Sequence, residues 1–123
     1  GITVDRNFAE QIPSINADLD QLKRVFTNLF DNAIAAMEGE GTLQVSTSYD
    51  HDLQTTRIEV ADTGTGIKPE DKDRLFLPYF SRKRGGTGLG LAIVHQIVAD
   101  HSGYVRVSDN HPRGTVMTIE LPC

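Results

Sequence analysis

Glycines lead directly into a predicted helix in the second half of this 123-residue chain. The run Gly85-Gly86-Thr87-Gly88-Leu89-Gly90-Leu91 opens that helix, and three bases, Arg82, Lys83 and Arg84, come immediately before it. Unpaired backbone amides and the helix dipole meet at a helix N-terminus, so such a segment can bind anions. A polyphosphate therefore suits this site. The alternative is a flexible loop whose charges only keep it solvated.

Two better-known phosphate-binding motifs do not fit this run. A P-loop ends in Gly-Lys followed by Ser or Thr, and the chain contains no such sequence. A dinucleotide-binding fingerprint needs Gly-x-Gly-x-x-Gly after an apolar strand. The spacing here is Gly86-x-Gly88-x-Gly90, and the preceding segment is aromatic and basic. Both motifs are therefore excluded.

A second candidate motif, Asp62-Thr63-Gly64-Thr65-Gly66, follows a predicted strand. Its carboxylate can accept a hydrogen bond from a ligand amine, and its two glycines would let the ligand approach the backbone closely. The alternative is a plain loop, because an acid followed by glycines is a common turn.

Two asparagines, Asn28 and Asn32, lie four residues apart in the longest predicted helix. That spacing places them within about 40° of each other, beside the apolar stripe of the helix. Amides at the edge of a buried face need hydrogen-bond partners. One interpretation is a cleft wall that offers an amide oxygen to a hard cation. The other is a pair of side chains bonded to neighbouring backbone.

Hydrophobic periodicity predicts the elements that must position these motifs. Apolar residues at steps of three and four predict a helix capped by Asp18 or Asp20 and ended by the glycines of residues 38–41: Leu22, Val25, Phe26, Leu29, Phe30, Ala33, Ile34 and Met37. Two further helices are predicted from Pro69 to about Leu75 and from Leu89 to about His101. Alternating residues predict strands, with a turn or edge strand at Gln11–Ser14: Ile2–Asp5, Thr42–Tyr49, Thr55–Ala61, Tyr104–Ser108 and Thr115–Leu121.

These elements predict an α+β fold, a two-layer α/β sandwich. About three helices should pack on one face of a mixed, mostly antiparallel five-stranded sheet. The length suits one domain, residues 1–123. The chain opens directly in an apparent strand, so we expect it to be a fragment of a longer protein.

Composition excludes several classes of function. Twelve Lys and Arg against 17 Asp and Glu give a net charge of −5, which argues against broad electrostatic binding to nucleic acid. No apolar run approaches the roughly 18 residues needed to span a bilayer. The single cysteine, Cys123, cannot form an internal disulfide, and this fits a reducing compartment.

In their order along the chain, the motifs resemble the ATP-binding domain of sensor histidine kinases. That domain belongs to the wider group shared with DNA gyrase, the Hsp90 chaperone and MutL. The asparagine-bearing helix comes first, followed by Asp-x-Gly-x-Gly, an aromatic and basic segment, and Gly-Thr-Gly-Leu-Gly-Leu. The resemblance covers about residue 2 to Pro122, and residues 76–94 are especially similar to the nitrogen-regulation type.

The resemblance implies a role for each motif in binding ATP and Mg²⁺. Asn28, Asn32 and Lys83 are the implied catalytic residues, and Asn32 is the implied Mg²⁺ ligand. Asp62 is implied as the acid that accepts a hydrogen bond from the adenine amine. The remaining residues implied in nucleotide binding lie in the base pocket, the segment over the phosphates and the last motif: Gly64, Gly66, Ile67, Phe80, Arg82, Gly86, Thr87, Gly88, Leu89, Gly90, Leu91 and Thr115.

The sequence departs from the family pattern at two positions after Asn32. Many members carry Lys or Arg and then an aromatic residue where this chain has Ala35 and Ala36, so we expect one phosphate contact and one stacking contact to be missing. A further position separates the branches of the group. Hydrolysing relatives use a glutamate where this chain has Asn28, and an amide cannot act as a general base at neutral pH.

The resemblance implies a protein-histidine kinase domain that donates the γ-phosphate to a histidine on a separate dimerisation and phosphoacceptor domain. None of the four histidines here resembles the acceptor; His95 is expected to be structural, and His101 to be a partly charged imidazole at a helix C-terminus. The domain is expected to be a cytoplasmic monomer that acts indirectly on a response regulator, with a parent protein that can be anchored in the inner membrane. The alternatives are a non-catalytic nucleotide sensor and a hydrolysing ATPase of the gyrase or MutL kind.

Overall fold

Apolar residues at steps of four along the first helix form one buried face. A computed structural model describes residues 1–9, 17–78 and 89–123 and places Val25, Leu29 and Ala33 in the core, on helix α1 (Leu19–Met37). Asp18 caps this helix, since its Oδ1 accepts the Gln21 N–H at 3.2 Å. The helix ends where Glu38 and Gly39 take positive φ angles of 54° and 90°, so the predicted cap and stop are confirmed.

The strands pair into one sheet in the order β1-β2-β3-β5-β4. Their bounds are β1 (Ile2–Asn7), β2 (Gly41–Asp50), β3 (Thr55–Asp62), β4 (Tyr104–Asp109) and β5 (Thr115–Pro122). Strand β1 pairs parallel to β2, and the other three pairings are antiparallel. The predicted mixed, mostly antiparallel sheet is therefore confirmed within the described residues.

Sheet register places one apolar face toward the helices. Val60 of β3 lies opposite Val45 of β2 and Met117 of β5, and all three belong to or pack against the core cluster. The helices α2 (Pro69–Lys72) and α3 (Gly90–Asp100) complete the helical layer with α1. The predicted two-layer α+β sandwich is confirmed, because these three helices pack on the five-stranded sheet.

Helix α2 is shorter than the sequence predicts. It stops at Lys72, and the chain continues toward Leu77 in tight turns, with hydrogen bonds from Arg74 N to Asp71 O and from Leu77 N to Arg74 O at 3.0 Å each. These bonds join residues three apart, a spacing that favours a short tightened turn over a longer α-helix. The predicted turn or edge strand at Gln11–Ser14 lies outside the described residues.

His101 connects the ends of two helices. Its Nε2 accepts the Asp18 N–H at 3.0 Å, and its Nδ1 lies 2.8 Å from the Ile97 carbonyl oxygen. With Nε2 as the acceptor, Nδ1 is the ring nitrogen that donates to the Ile97 carbonyl oxygen. The ring therefore ties the start of α1 to the end of α3. None of the described helices is long and apolar enough to cross a membrane.

Candidate functional site

A cleft of about 1340 Å³ opens between α1, the end of β3, α2, the start of α3 and the loop that joins β4 to β5. Its lining combines polar groups with apolar ones. Asn28, Asn32 and Asp62 contribute amide and carboxylate groups, and Ile67 and Leu91 contribute hydrocarbon. This mixture of polar and apolar groups suits a small polar molecule that carries an apolar ring.

The wall formed by α1 carries the two predicted asparagines. Asn28 and Asn32 are half-buried and lie on the flank of α1 beside the core stripe. The first residue of α3 lies against this wall, since a Cβ atom on Gly90 would come within 3.4 Å of Asn28 Oδ1. The helix start and the asparagine wall therefore meet at one place.

Asp62 stands at the end of β3 and is only 6% exposed. Its Oδ1 accepts the Gly64 N–H at 2.9 Å and the Thr115 N–H at 3.3 Å. Burial raises the pKa of this carboxyl above its usual 3.8, and the two backbone hydrogen bonds partly oppose that rise. Both bonds end on Oδ1, and none of the residues that the structure describes donates to Oδ2, so this oxygen can accept from a donor that enters the cleft.

Gly64 lies between the Asp62 turn and the end of α1 and does not itself line the cleft. A Cβ atom at Gly64 would lie 2.5 Å from the Ala36 carbonyl oxygen, which also accepts the Thr65 N–H at 3.1 Å. The turn is therefore packed against the last turn of α1, an approach that needs glycine. Gly66 lines the cleft with a positive φ of 79°.

The remaining predicted residues divide into three groups. Ile67, Leu91 and the buried Thr115 line the cleft, and their roles in nucleotide binding stay predictions. Leu89 lies directly before α3 and its carbonyl oxygen accepts the Ile93 N–H at 2.9 Å. The others lie outside the described residues, and their roles stay predictions: Phe80, Arg82, Lys83, Gly86, Thr87 and Gly88.

Sequence reasoning missed the loop between β4 and β5. Asn110 Nδ2 donates to the Asp62 carbonyl oxygen at 2.8 Å, and Arg113 Nε donates to the Gly64 carbonyl oxygen at 2.8 Å. Both residues also line the cleft. Their local sequence is that of an ordinary polar turn, so only the distant pairing of strands could have revealed the contact.

The α1 wall of the cleft includes an oxygen donor suited to a metal ion. Asn32 offers one amide oxygen at the cleft surface. The described residues contain no group of three or more His, Cys, Asp or Glu side chains that could hold an ion. A cation bound here would take most of its oxygens from phosphate and water, which is how Mg²⁺ usually binds. Asn32 therefore fits an Mg²⁺ ion that is held by one protein oxygen together with phosphate and water oxygens.

Comparison with known proteins identifies the family. The family model for histidine kinase-, DNA gyrase B- and HSP90-like ATPases matches residues 17–123. The chain belongs to this family. The resemblance predicted from the order of the motifs is thereby confirmed.

Relatives of this ATPase family that match the chain include sensor kinases. Sensor histidine kinase ZraS of Escherichia coli strain K12 is 41% identical over 113 residues, which are 92% of this chain and 24% of ZraS. Sensory histidine kinase/phosphatase NtrB of Rhodobacter capsulatus is 36% identical over 127 residues, covering 94% of this chain and 36% of NtrB. The chain thus spans a minor part of either relative.

A solved structure shows the same architecture. Full-length ShkA in complex with AMPPNP aligns with a TM-score of 0.86 and 32% identity, covering 99% of this chain and 26% of ShkA. The agreement extends over nearly all of the chain. The cleft described above therefore belongs to an architecture that also occurs in a nucleotide complex.

Proposed function

We propose that residues 1–123 are the ATP-binding catalytic domain of a longer sensor histidine kinase. In this proposal the domain binds Mg-ATP and donates the γ-phosphate to a histidine on a separate dimerisation and phosphoacceptor domain. The observation that carries the proposal is Asp62, whose buried carboxylate holds two backbone N–H groups on Oδ1 and keeps Oδ2 for a ligand donor. An adenine amine supplies such a donor.

Different parts of the cleft suit the base, the phosphates and the metal ion of one bound nucleotide. The base lies at Asp62 with Ile67 beside it, and the triphosphate extends toward Asn28 and the start of α3, where backbone N–H groups and the helix dipole favour negative charge. Asn32 gives its amide oxygen to Mg²⁺, which supplies charge neutralisation for the phosphates when bound. Lys83 and Arg82 are proposed to meet the outer phosphates.

Phosphoryl transfer to histidine needs positioning more than a protein base. The bond between Pγ and the β,γ-bridging oxygen breaks, a bond from Pγ to an imidazole nitrogen forms, and ADP leaves with the bridging oxygen. Asn28 lies where hydrolysing relatives carry a glutamate, and its amide cannot take a proton from water. The site should therefore hold ATP without cleaving it efficiently, while in-line transfer to a supplied nucleophile remains open to it.

The four histidines of this chain support an acceptor located elsewhere. His51 stands in the β2–β3 turn and His111 in the β4–β5 loop. His95 is exposed on α3 with its ring 5.8 Å from that of Phe76, a contact consistent with the expected structural role, and His101 uses both ring nitrogens. We propose that the acceptor histidine belongs to another domain of the parent protein, that a response regulator receives the phosphoryl group from it, and that the isolated domain is a monomer.

One observation favours a second candidate function. Ala35 and Ala36 both line the cleft at positions where the family resemblance implies a base and an aromatic ring. A domain without those two contacts could retain the nucleotide and lack transfer, which is the nucleotide-sensor alternative. A hydrolysing ATPase is disfavoured by Asn28.

Two measurements test these functions together. Calorimetry of the isolated domain with AMPPNP, with and without Mg²⁺, should show binding that the metal strengthens. A transfer assay should show negligible phosphate release from ATP by the domain alone and label on the acceptor fragment of its own parent protein when that fragment is added. No affinity at millimolar nucleotide rejects the proposal, binding without transfer selects the sensor alternative, and rapid phosphate release selects the hydrolase.

A further inference from the structure

The β4–β5 loop contacts the Asp62 turn through two side-chain hydrogen-bond donors. Asn110 Nδ2 bonds the carbonyl oxygen of Asp62, and Arg113 Nε bonds the carbonyl oxygen of Gly64, each at 2.8 Å. The Gly64 N–H in turn donates to Asp62 Oδ1. The loop therefore holds the backbone of both residues, Asp62 and Gly64, that form this hydrogen bond.

The Asn110 side chain is held in a single orientation. Its Oδ1 accepts the His111 N–H at 2.9 Å, so the other end of the amide must be the donor that reaches Asp62. The Asn110 N–H also bonds the Gly114 carbonyl oxygen at 3.0 Å, which closes the loop. Asn110 is thus fixed by its own loop before it contacts the turn.

The close approach of the two backbones makes this contact sensitive to small changes. A Cβ atom on Gly114 would lie 1.9 Å from the Asp62 carbonyl oxygen, and the next residue, Thr115, donates its N–H to Asp62 Oδ1 at 3.3 Å. A shift of the loop would therefore displace one of the two backbone donors on the carboxylate.

We propose that Asn110 is a positioning residue for the Asp62 carboxylate, with Arg113 as a second anchor on the same turn. The proposal deepens the proposed function and rests on it, since the oriented carboxylate is the group that would recognise the amine of an adenine base. Asn110 acts through Asp62, and its contribution should depend on the ligand amine. A purely structural role in closing the loop would affect every nucleotide alike.

The test compares two nucleotides on matched variants. Asn110→Asp keeps the oxygen that accepts the His111 N–H and replaces the donor by an oxygen; Asn110→Ala removes the donor without adding a charge. We expect both to bind ATP about tenfold more weakly, the equivalent of one lost oriented hydrogen bond. Binding of purine riboside triphosphate, which lacks the 6-amino group, should change by no more than about twofold. In an Asp62→Asn background, the Asn110 variants should cause no further loss.

A second measurement needs no ligand. In the free domain, Asn110→Ala should move the NMR amide resonance of Gly64, whose proton bonds Asp62, and leave that of Ile58 in the middle of β3 in place. Equal losses for both nucleotides, or an unmoved Gly64 resonance, overturn the positioning role. A wild-type domain that binds neither nucleotide refutes the proposed function instead, and the Gly64 resonance alone then decides whether Asn110 positions Asp62.

Discussion

Asp62 combines two demands that oppose each other. Its carboxylate is buried, which raises its pKa, yet it must be ionised to accept a hydrogen bond from a ligand amine. Between pH 3.8 and the raised value, the folded chain binds more protons than the unfolded chain. The free energy of unfolding therefore falls as pH rises through that interval, and the contribution of Asp62 is level on either side of it.

Replacing Asp62 by asparagine separates stability from binding. The new amide can still accept the Gly64 and Thr115 N–H groups through its oxygen, but its second group is a donor and repels an adenine amine. We expect the free energy of unfolding in urea at pH 7 to equal that of the wild type or to exceed it by up to about 1 kcal/mol. Affinity for ATP and ADP should fall alike by about tenfold or more in calorimetry.

Asp62→Ala provides the comparison for that variant. It removes the acceptor for both N–H groups, so it should be less stable than Asp62→Asn and equally poor in binding. The pH dependence that Asp62 contributes should disappear in both variants. Unchanged nucleotide affinity in either one would remove Asp62 from the site.

Asn32 should act through the metal. Its amide oxygen lies on the cleft wall. In Asn32→Ala, the factor by which Mg²⁺ increases the affinity for ATP should be about tenfold smaller than in the wild type. Affinity measured by calorimetry in excess chelator should stay near the wild-type value. Thr27→Ala, on an exposed position of the same helix, serves as the control. A variant that keeps the full metal dependence contradicts the assignment of Asn32 as ligand.

Hydrophobic spacing predicted most of the helices and strands. The stripe from Val25 to Met37 places α1, and Asp18 caps it as predicted. The ends of β2 through β5 agree with the alternation to within one or two residues. Local signals of this kind are strong because burial of one face decides the element. The early end of α2 was missed, because the hydrogen bonds between residues three apart that follow Lys72 leave no mark on the apolar periodicity.

The candidate site was predictable where a motif is local. Asn28, Asn32 and Asp62 are marked by spacing and by neighbouring glycines, and the structure brings them to one cleft. Asn110 was not predictable, because its partner Asp62 lies 48 residues away. Only the antiparallel pairing of β3 with β5, which brings Ala61 opposite Val116, places the two loops together.

Gly114 should be the least replaceable of the glycines that support the site. It combines a φ of 109° with a backbone so close that an added Cβ would lie 1.9 Å from the Asp62 carbonyl oxygen. Gly39 has a φ of 90° with nothing within 4 Å of its Cβ position, so Gly39→Ala measures the cost of backbone strain alone, about 1–2 kcal/mol. We expect Gly114→Ala to lower the free energy of unfolding by at least about 3 kcal/mol in urea titrations. Equal losses in the two variants would show that the approach relaxes easily.

The candidate binding cleft and the charged face of the sheet lie on opposite sides of the fold. Helices α1 and α3 and the loops at one end of the sheet surround the cleft. The face of the sheet away from the helices carries charge, with Glu120 of β5 paired to Arg57 of β3 at 3.6 Å and to Arg106 of β4. Ion pairs at a surface of this kind add little stability, so the helical layer and its core hold the site together.

The loop that hydrogen-bonds to the Asp62 turn follows β4, an edge strand whose sole pairing in the described sheet is with β5. Edge strands fray more readily than central ones, and their amides exchange with solvent through local opening. A ligand that binds only the closed arrangement suppresses that opening by mass action. Saturating Mg-AMPPNP should therefore slow deuterium uptake at Arg106 and Ser108, whose N–H groups face β5 in the register of the Asn110–Gly114 hydrogen bond, as well as at the cleft. Equal uptake with and without nucleotide would show that fraying leaves the Asp62 turn untouched. Occupancy of the cleft would in that way be registered at the rim of the sheet, by residues of β4 that do not line the cleft.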